Sequence, residues 1–427
     1  MAGPGLVERY LLLGLRLGRH IEGLVDAYYG PPRLSDQVAA EPPLPPVRLA
    51  AEAREILAEL EAGAELGGPE ARPGEAGEGG AEGARRHWLA AQTRGLLTTA
   101  RRLAGEAIGY VEEVAACYGV RPSRVEEDVF AEAHRRLESI VPGDGPLAER
   151  LVEWREAHAV PTERLGAAID SLVEDLRDRT RTLFGLPEGE RVDFELVRGQ
   201  PWSGFNYYLG DLRSRVAVNV DLPVLSTGLA HLVAHESYPG HHTEHTRKEV
   251  GLVRRRRWWE ESIFLVGTPQ CLMAEGLADL GLEVVMGRRP ESAIAEHFHP
   301  LGIRYDTEVV AAVAEAGEAL GAVRQNAAFR LHVDGADPEV VVDEVARFGL
   351  QSRERAEKTV EFLTHPTWRA YLTCYVEGLP RCRRFVRGDP ARFDRLLGEQ
   401  LTPDQLEAPV AADEGEGPGL PPAAAIA

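Results

Sequence analysis

Several things are scarce in this 427-residue sequence, and each shortage removes a class of function. Lysine is nearly missing: Lys248 and Lys358 are the only two, and the other basic side chains are arginines in a chain rich in Ala, Gly and Pro. That bias reads as genomic base composition. Positive charge is short overall, since 48 Lys and Arg face 68 Asp and Glu for a formal net charge of -20. Nucleic acid and anionic membrane surfaces are held through clustered basic side chains, so neither is an expected partner. Cysteine is sparse as well. Cys117, Cys271, Cys374 and Cys382 lie far apart except for one C-x7-C spacing, which matches no zinc knuckle, and they read as buried or incidental thiols. Long apolar runs are also lacking. Leu11-Leu12-Leu13-Gly14-Leu15, flanked by Glu8, Arg9 and Arg16, has neither the length of a membrane span nor the form of a secretory core, and a cytoplasmic location is expected.

What is present is enough for a folded enzyme. With 44% hydrophobic and 27% charged residues the composition is that of a globular protein. The length exceeds what one core normally fills, so one large helical domain with appendages and two domains sharing a cleft both fit.

Hydrophobic periodicity gives the organisation. Residues 1–62 hold amino-terminal helices: helical spacing from Leu6 to Tyr29 predicts one helix stopped by Gly30-Pro31-Pro32, and a second runs from about Val47 to Ala62 after a proline-rich connector. Residues 63–84 are almost entirely Gly, Ala, Glu and Pro, with Leu66 the one large apolar residue. Ordering them would cost roughly 1–2 kcal/mol per residue with little to bury, which predicts a linker or surface loop. Residues 85–190 return to helical spacing, broken at Arg121-Pro122-Ser123 and from Val141 to Pro146, with Ser123 and Thr162 as expected caps. From Arg191 to Asp221 the alternation of Val192, Phe194, Leu196, Phe205, Tyr207, Val216, Val218 and Val220 predicts a small antiparallel sheet with a turn near Gly210-Asp211. Helices resume near Ser226 and continue to about Arg387; residues 191–390 form the expected catalytic region and 391–427 a frayed tail. The fold class is therefore mainly α with a small antiparallel β-sheet, arranged around a cleft.

Chemistry concentrates at His235-Glu236-Ser237-Tyr238-Pro239-Gly240-His241-His242. Two His one turn apart on a helix, with a Glu after the first, place two imidazoles on zinc and a carboxylate beside its open position, in the pattern H-E-x-x-H. Here Pro239 stands where the second His belongs. His235 and His242 share a face but are about 10.5 Å apart along a regular helix, too far to reach one ion. Pro239 and Gly240 must distort the helix. If two residues bulge out, His241 takes the position of the second ligand, with His242 beside it in reserve. A competing parse, His241-His242-Thr243-Glu244-His245, fits the inverted pattern H-x-x-E-H with His241 and His245 as ligands and Glu244 as base.

A third ligand is needed. Glu275 and Asp279 lie one turn apart, so Glu275 can bind the ion while Asp279 accepts the outer N–H of a ligand imidazole. This Glu ligand and Asp partner on a second helix resemble the thermolysin-like zinc peptidases and favour His235-Glu236 over the inverted parse. Taken together, His235-Glu236-x-Tyr-Pro-Gly-His-His, Glu275-Gly276-x-Ala and Tyr375-Val376-Glu377-Gly378 resemble the bacterial family called domain of unknown function 885, regarded as distant relatives of the zincin peptidases. The likeness covers most of the chain beyond Arg191 and, more weakly, the amino-terminal helices. It implies a zincin-like architecture, zinc as the cofactor and a peptidase reaction class, without naming a substrate. Leu277 stands where the family carries an aromatic residue, which alters the expected pocket wall. The resemblance also makes Tyr375 the expected donor to a tetrahedral oxyanion, with Tyr371 and His365 as alternatives. Asn206, Tyr207 and Asn219 in the sheet could hold an extended peptide along an edge strand. Arg254 to Arg257 with Trp258-Trp259 reads as a solvated face or, alternatively, a grip on a substrate carboxylate.

The expected protein is thus a zinc-dependent hydrolase of peptide or amino-acyl amide bonds, with Glu236 as general base and then proton donor. The rival is a non-catalytic helical protein in which a metal closed by four protein ligands serves stability or partner binding.

Overall fold

Helical spacing becomes helix through most of the chain, and among the described residues the named strands are five short ones. The computed structural model describes residues 5–63, 65–66, 79–200 and 202–407. Most of the expected linker and the tail beyond 407 lie outside the described residues. The helix after the linker begins at Gly79, inside the stretch expected to be loop. The described architecture is mainly helical with small sheets, and most of its buried apolar side chains form one cluster running from Leu6 to Leu406. Among the described residues no helix is long and apolar enough to cross a membrane.

The amino-terminal segment departs from expectation. The first helix, Leu6–Gly18, stops well before Tyr29, and residues Val25–Tyr28 form strand β1. β1 pairs antiparallel with β5, Ile263–Leu265, a partner more than two hundred residues away. That long-range pairing, which buries Ala27 and all three residues of β5, overrides the local helical spacing. A helix at Pro32–Ala40 was not expected; the next, Pro46–Glu61, was. Ser123 and Thr162 do not cap: the helices Glu127–Ile140 and Thr162–Phe184 start from Glu126 and Pro161 without a side-chain cap bond. Side-chain caps are made instead by Asp306, Asp337, Ser352 and Asp389.

The strand-rich segment forms β2 (Arg191–Val197), β3 (Gly204–Gly210) and β4 (Arg213–Asn219), in the spatial order β2-β4-β3. β3 and β4 make the expected antiparallel pair, with Tyr208 opposite Ser214 and a turn through Gly210, Asp211 and Leu212, all at positive φ. β2 joins on the other side of β4 in parallel, Arg191 opposite Arg213 and Val197 opposite Asn219. This leaves β3 as an outer strand beside the helices that carry the His/Glu motif.

The site is built from the helices Ser226–Glu236 and His241–Lys248, which pack on β3, together with Pro269–Met286 and Thr373–Val386. The last two cross at their glycines. A Cβ on Gly276 would lie 2.6 Å from the backbone carbonyl of Gly378, and one on Gly378 would lie 2.7 Å from Leu272 O. Backbone-to-backbone contact of this kind brings Tyr371, just ahead of the last helix, onto Glu275 and Tyr375 into the cleft wall.

Behind the site lies a buried cluster of charges. Lys248 Nζ donates to Glu244 at 2.7 Å, Arg85 pairs with Glu260, and Gln270 Nε2 donates to Glu261 Oε2 at 3.2 Å. Burial pushes the Glu261 carboxyl up to about 7, with Lys248 opposing and Glu260 reinforcing. A folded state that holds a proton the unfolded chain has released loses stability as pH rises between the ordinary carboxyl value and 7. Replacing Glu261 by Gln removes that loss. Glu261→Gln is expected to match the parent in thermal unfolding near pH 5 and to exceed it at pH 8 by up to roughly 3 kcal/mol; an equal or lower midpoint at pH 8 would show that the charged form is well accommodated.

Candidate metal centre

The motif helix does not continue through Pro239. It ends at Glu236, and Ser237 leaves helical conformation at φ -124 and ψ -88. Tyr238-Pro239 is a cis peptide, and a new helix starts at His241. Two backbone bonds span the break: Gly240 N–H donates to Ala234 O at 3.0 Å, and Thr243 N–H donates to Ser237 O at 3.2 Å. Each closes six residues where a regular helix closes four, so two extra residues are accommodated between His235 and His241. Position 240 has to be glycine, because a Cβ there would sit 1.9 Å from His235 O.

The break is braced from the side. Tyr238 OH donates to Glu190, and His242, fully buried, meets Glu190 Oε2 through Nε2 at 3.0 Å and Ser214 Oγ through Nδ1 at 2.8 Å. Arg177 Nε donates to the other oxygen of Glu190 at 2.7 Å. Glu190 had no signal in the sequence; it is the common anchor of Tyr238 and His242. His242 is therefore no reserve ligand beside the metal group. It points to the sheet and, as its helix neighbour, turns His241 the other way.

His235, His241 and Glu275 converge. Their Nε2 atoms lie 3.1 Å apart, His235 Nε2 is 3.3 Å from Glu275 Oε2, and His241 Nε2 is 3.5 Å from Glu275 Oε1. Ligand atoms about 2.0–2.2 Å from a tetrahedral zinc stand roughly 3.3–3.5 Å from one another, the edge of the tetrahedron. Glu275 Oε2 is buried with no hydrogen-bond donor, while Oε1 accepts from Tyr371 OH at 2.5 Å. A buried carboxylate that faces two imidazole nitrogens and has one oxygen without a donor among the described residues fits a cation. His235 Nδ1 lies 2.9 Å from Asp279 Oδ1, so Asp279 holds the Nδ1 proton and leaves Nε2 facing inward as the atom a metal ion would take. Half-exposed His231 shares that Asp279 oxygen at 3.2 Å. Among the described residues, the groups able to reach one ion are His235, His241 and Glu275, and His231, His235 and Asp279.

Electrostatics follow the same geometry. Burial opposes charge on His235, yet Asp279 and Glu275 hold it well above the ordinary imidazole range; His241 is raised by Glu275 against burial in the same way. Burial would raise Glu275, but His235 and His241 bring it down to about 2. Glu236 is raised by burial against the pull of both imidazoles. A metal ion entering the group takes the place of the imidazole protons.

The inverted parse does not assemble. His245 is stacked on Tyr208 at 4.7 Å with its edge to Phe264 at 5.4 Å, burial holds its pKa well down, and Glu244 is engaged by Lys248. Tyr371 and Tyr375, with ring centres 5.6 Å apart, both line the cleft. The tyrosine that touches Glu275 is Tyr371, the alternative in sequence, while Tyr375 lines the wall beside it. His365 lies outside the cleft lining. Asn206 Nδ2 donates to the backbone carbonyl of Glu236 at 2.6 Å, and Asn219 bonds the carbonyls of Gln200 and Trp202, so both side chains shape the wall. Tyr207 lies under Arg215. Arg254 pairs with Glu249 and with Asp211 at 3.0 Å, and none of Arg254 to Arg257 lines the cleft.

One cleft residue gave no signal. Asp26, read as part of a helix, sits on β1 and lines the cleft together with His235, Glu236, His241 and Glu275. Burial pushes its carboxyl up to about 7, against the pull of His241. Recognising it requires the β1–β5 pairing, which no local pattern encodes.

No protein-family model matches the sequence, and no curated protein matches it. Solved structures with similar shape include a protein described as a lipoprotein from Colwellia psychrerythraea, 14% identical at a TM-score of 0.48, aligned over 84% of this chain and 65% of its own. This chain thus spans just under two thirds of that protein. Another, of unknown function and also described as a lipoprotein, comes from Shewanella oneidensis, at 13% identity and a TM-score of 0.45 over 84% of this chain and 71% of its own. An M32 carboxypeptidase from Deinococcus radiodurans R1 aligns over 94% of this chain and 93% of its own, at 12% identity and a TM-score of 0.40. At these values the likenesses carry no chemistry to this chain.

The geometry leads to a metal-content prediction. Protein loaded with zinc and desalted should hold one equivalent by elemental analysis; His235→Ala and Glu275→Ala should hold far less, and His245→Ala should keep it. Retention by His235→Ala together with loss from His245→Ala would restore the inverted parse.

Proposed function

We propose that this chain is a zinc-dependent hydrolase that cleaves peptide or amino-acyl amide bonds, in keeping with its motif likeness to the domain of unknown function 885 family, and that it works in the cytoplasm. The observation that supports this most is the buried triad of His235 Nε2, His241 Nε2 and Glu275, at the spacings of a tetrahedral face and with one Glu275 oxygen lacking a donor. Two nitrogens and one carboxylate suit zinc among the common divalent ions, and three protein ligands are what catalytic sites use, leaving a fourth position open. The structural-site rival needs a fourth protein ligand; His242 is taken up by Glu190 and Ser214, and His245, stacked on Tyr208 in the cleft wall, belongs to no group of described residues able to reach one ion.

When bound, zinc supplies Lewis acidity towards a carbonyl oxygen and brings the acidity of water to near pH 7. The rest falls to the chain. Glu236, buried beside His235 and lining the cleft, accepts the proton of the attacking water and returns it to the departing amine. Its raised pKa suits a group that must both take and give a proton. Asp279 holds the His235 tautomer, and Tyr371 holds Glu275 through Oε1. Tyr375, one turn from Tyr371 on the cleft wall, is the donor to the oxyanion. Trp202, Phe205, Phe362 and Trp368 close the cleft with apolar surface that excludes water and receives a substrate side chain.

The test is Glu236→Gln assayed on a mixed peptide library with zinc measured in parallel. The variant should keep one zinc and lose roughly 10²–10⁴-fold in kcat/KM. Undiminished turnover with metal retained would contradict the mechanism.

A further inference from the structure

Asp26 is placed in the cleft by an irregularity of β1. Val25 pairs with Leu265 and Ala27 with Phe264, so Asp26 is the extra residue of a bulge. A bulge leaves one residue out of the ladder and re-aims its side chain. Here Ala27 is buried, while Asp26 joins the cleft wall beside Phe264 and Val266. It is near enough to the centre to interact with the charges of His241, Glu275 and Glu236.

Among the described residues three carboxylates line the cleft: Asp26, Glu236 and Glu275. Glu275 belongs to the metal group and Glu236 is the proton carrier. The Asp26 side chain makes no hydrogen bond or ion pair with any described residue, and its half-buried carboxylate faces a cleft walled by aromatic rings, where a cation would stabilise it. Among the described residues no Lys or Arg lines the cleft; Arg324, whose charge reaches Tyr375 and Asp279, stands outside that lining. The cleft thus opposes a substrate carboxylate near Asp26 and favours a cation, and its aromatic walls add to that preference through their ring faces.

We propose that Asp26 is the specificity residue of the cleft, binding an ammonium group of the substrate. This rests on the hydrolase reading above and narrows it to peptides or amides that present an amine close to the bond attacked. The amine is either the free α-ammonium of the first residue or the ε-ammonium of a lysine side chain.

Binding tests this without turnover. Zinc-loaded Glu236→Gln protein, with and without Asp26→Asn, is titrated calorimetrically at pH 7 with phenylalanyl-glycinamide, its N-acetyl form and N-acetyl-lysyl-glycinamide. With Asp26 in place, an amine-bearing probe should bind roughly 10- to 150-fold more tightly than N-acetyl-phenylalanyl-glycinamide, the range expected of a charge-assisted hydrogen bond. In Asp26→Asn that advantage should vanish while zinc content stays at one equivalent. Which of the two amine probes gains identifies the source of the ammonium. Equal binding of all three probes, no binding of any, an advantage that survives Asp26→Asn, or loss of zinc from that variant would each overturn the proposal. An Asp26-dependent preference in protein that cleaves no peptide would instead defeat the hydrolase reading and leave the amine site standing.

Discussion

A carboxylate buried with one oxygen unpartnered is among the more expensive things a protein interior can hold, and Glu275 is such a group. Its position constrains what surrounds it. Two imidazoles face it, Tyr371 satisfies one oxygen, and Asp279 one turn along fixes the nearer imidazole so that its Nε2 faces the other oxygen. The carboxylates draw His235 and His241 towards their charged forms, against the cost of burial. A metal ion replaces that compromise with a single charge at the meeting point of all three side chains, which is why the site reads as built for one.

The surrounding fold can be understood as the scaffolding of that meeting point. The glycine crossing at Gly276 and Gly378 lets the Glu275 helix and the tyrosine helix touch backbone to backbone. The break at Ser237–Gly240 takes up two residues, and Glu190, reached by Tyr238, His242 and Arg177, pins the far side of the break. β3, on the outside of its sheet, supplies Gly204, Phe205 and Asn206 to the cleft wall, and the β1–β5 pair supplies Asp26, Phe264 and Val266 from the opposite end of the sequence. Residues that act together are thus drawn from five separate stretches of chain.

How much of this can be read from sequence depends on whether the relevant contact is local. Helical spacing located most helices, and the alternation around Phe205, Tyr207, Val216 and Val218 located the β3–β4 hairpin with its turn at Gly210. His235, Glu236, Glu275 and Asp279 were legible because motif spacing states which side chains share a helix face. The place of His241 needed the two-residue excess around Pro239, again a matter of local geometry. His242 was misplaced because its partner, Glu190, is brought in by tertiary structure, and Asp26 and β1 were missed because a strand that pairs with Ile263–Leu265 leaves no trace in its own short sequence. The parallel placement of β2 against β4 escaped for the same reason, since period-two alternation is indifferent to strand direction.

The central claim is that one metal ion is held by two imidazoles and one carboxylate with a position left open. Zinc K-edge X-ray absorption of the loaded protein tests it directly. The account predicts a first coordination sphere of about four nitrogen and oxygen atoms at roughly 2.0–2.2 Å, with multiple scattering from two imidazoles and no sulfur. A third imidazole, a sulfur ligand or a sphere closed entirely by protein side chains would contradict it.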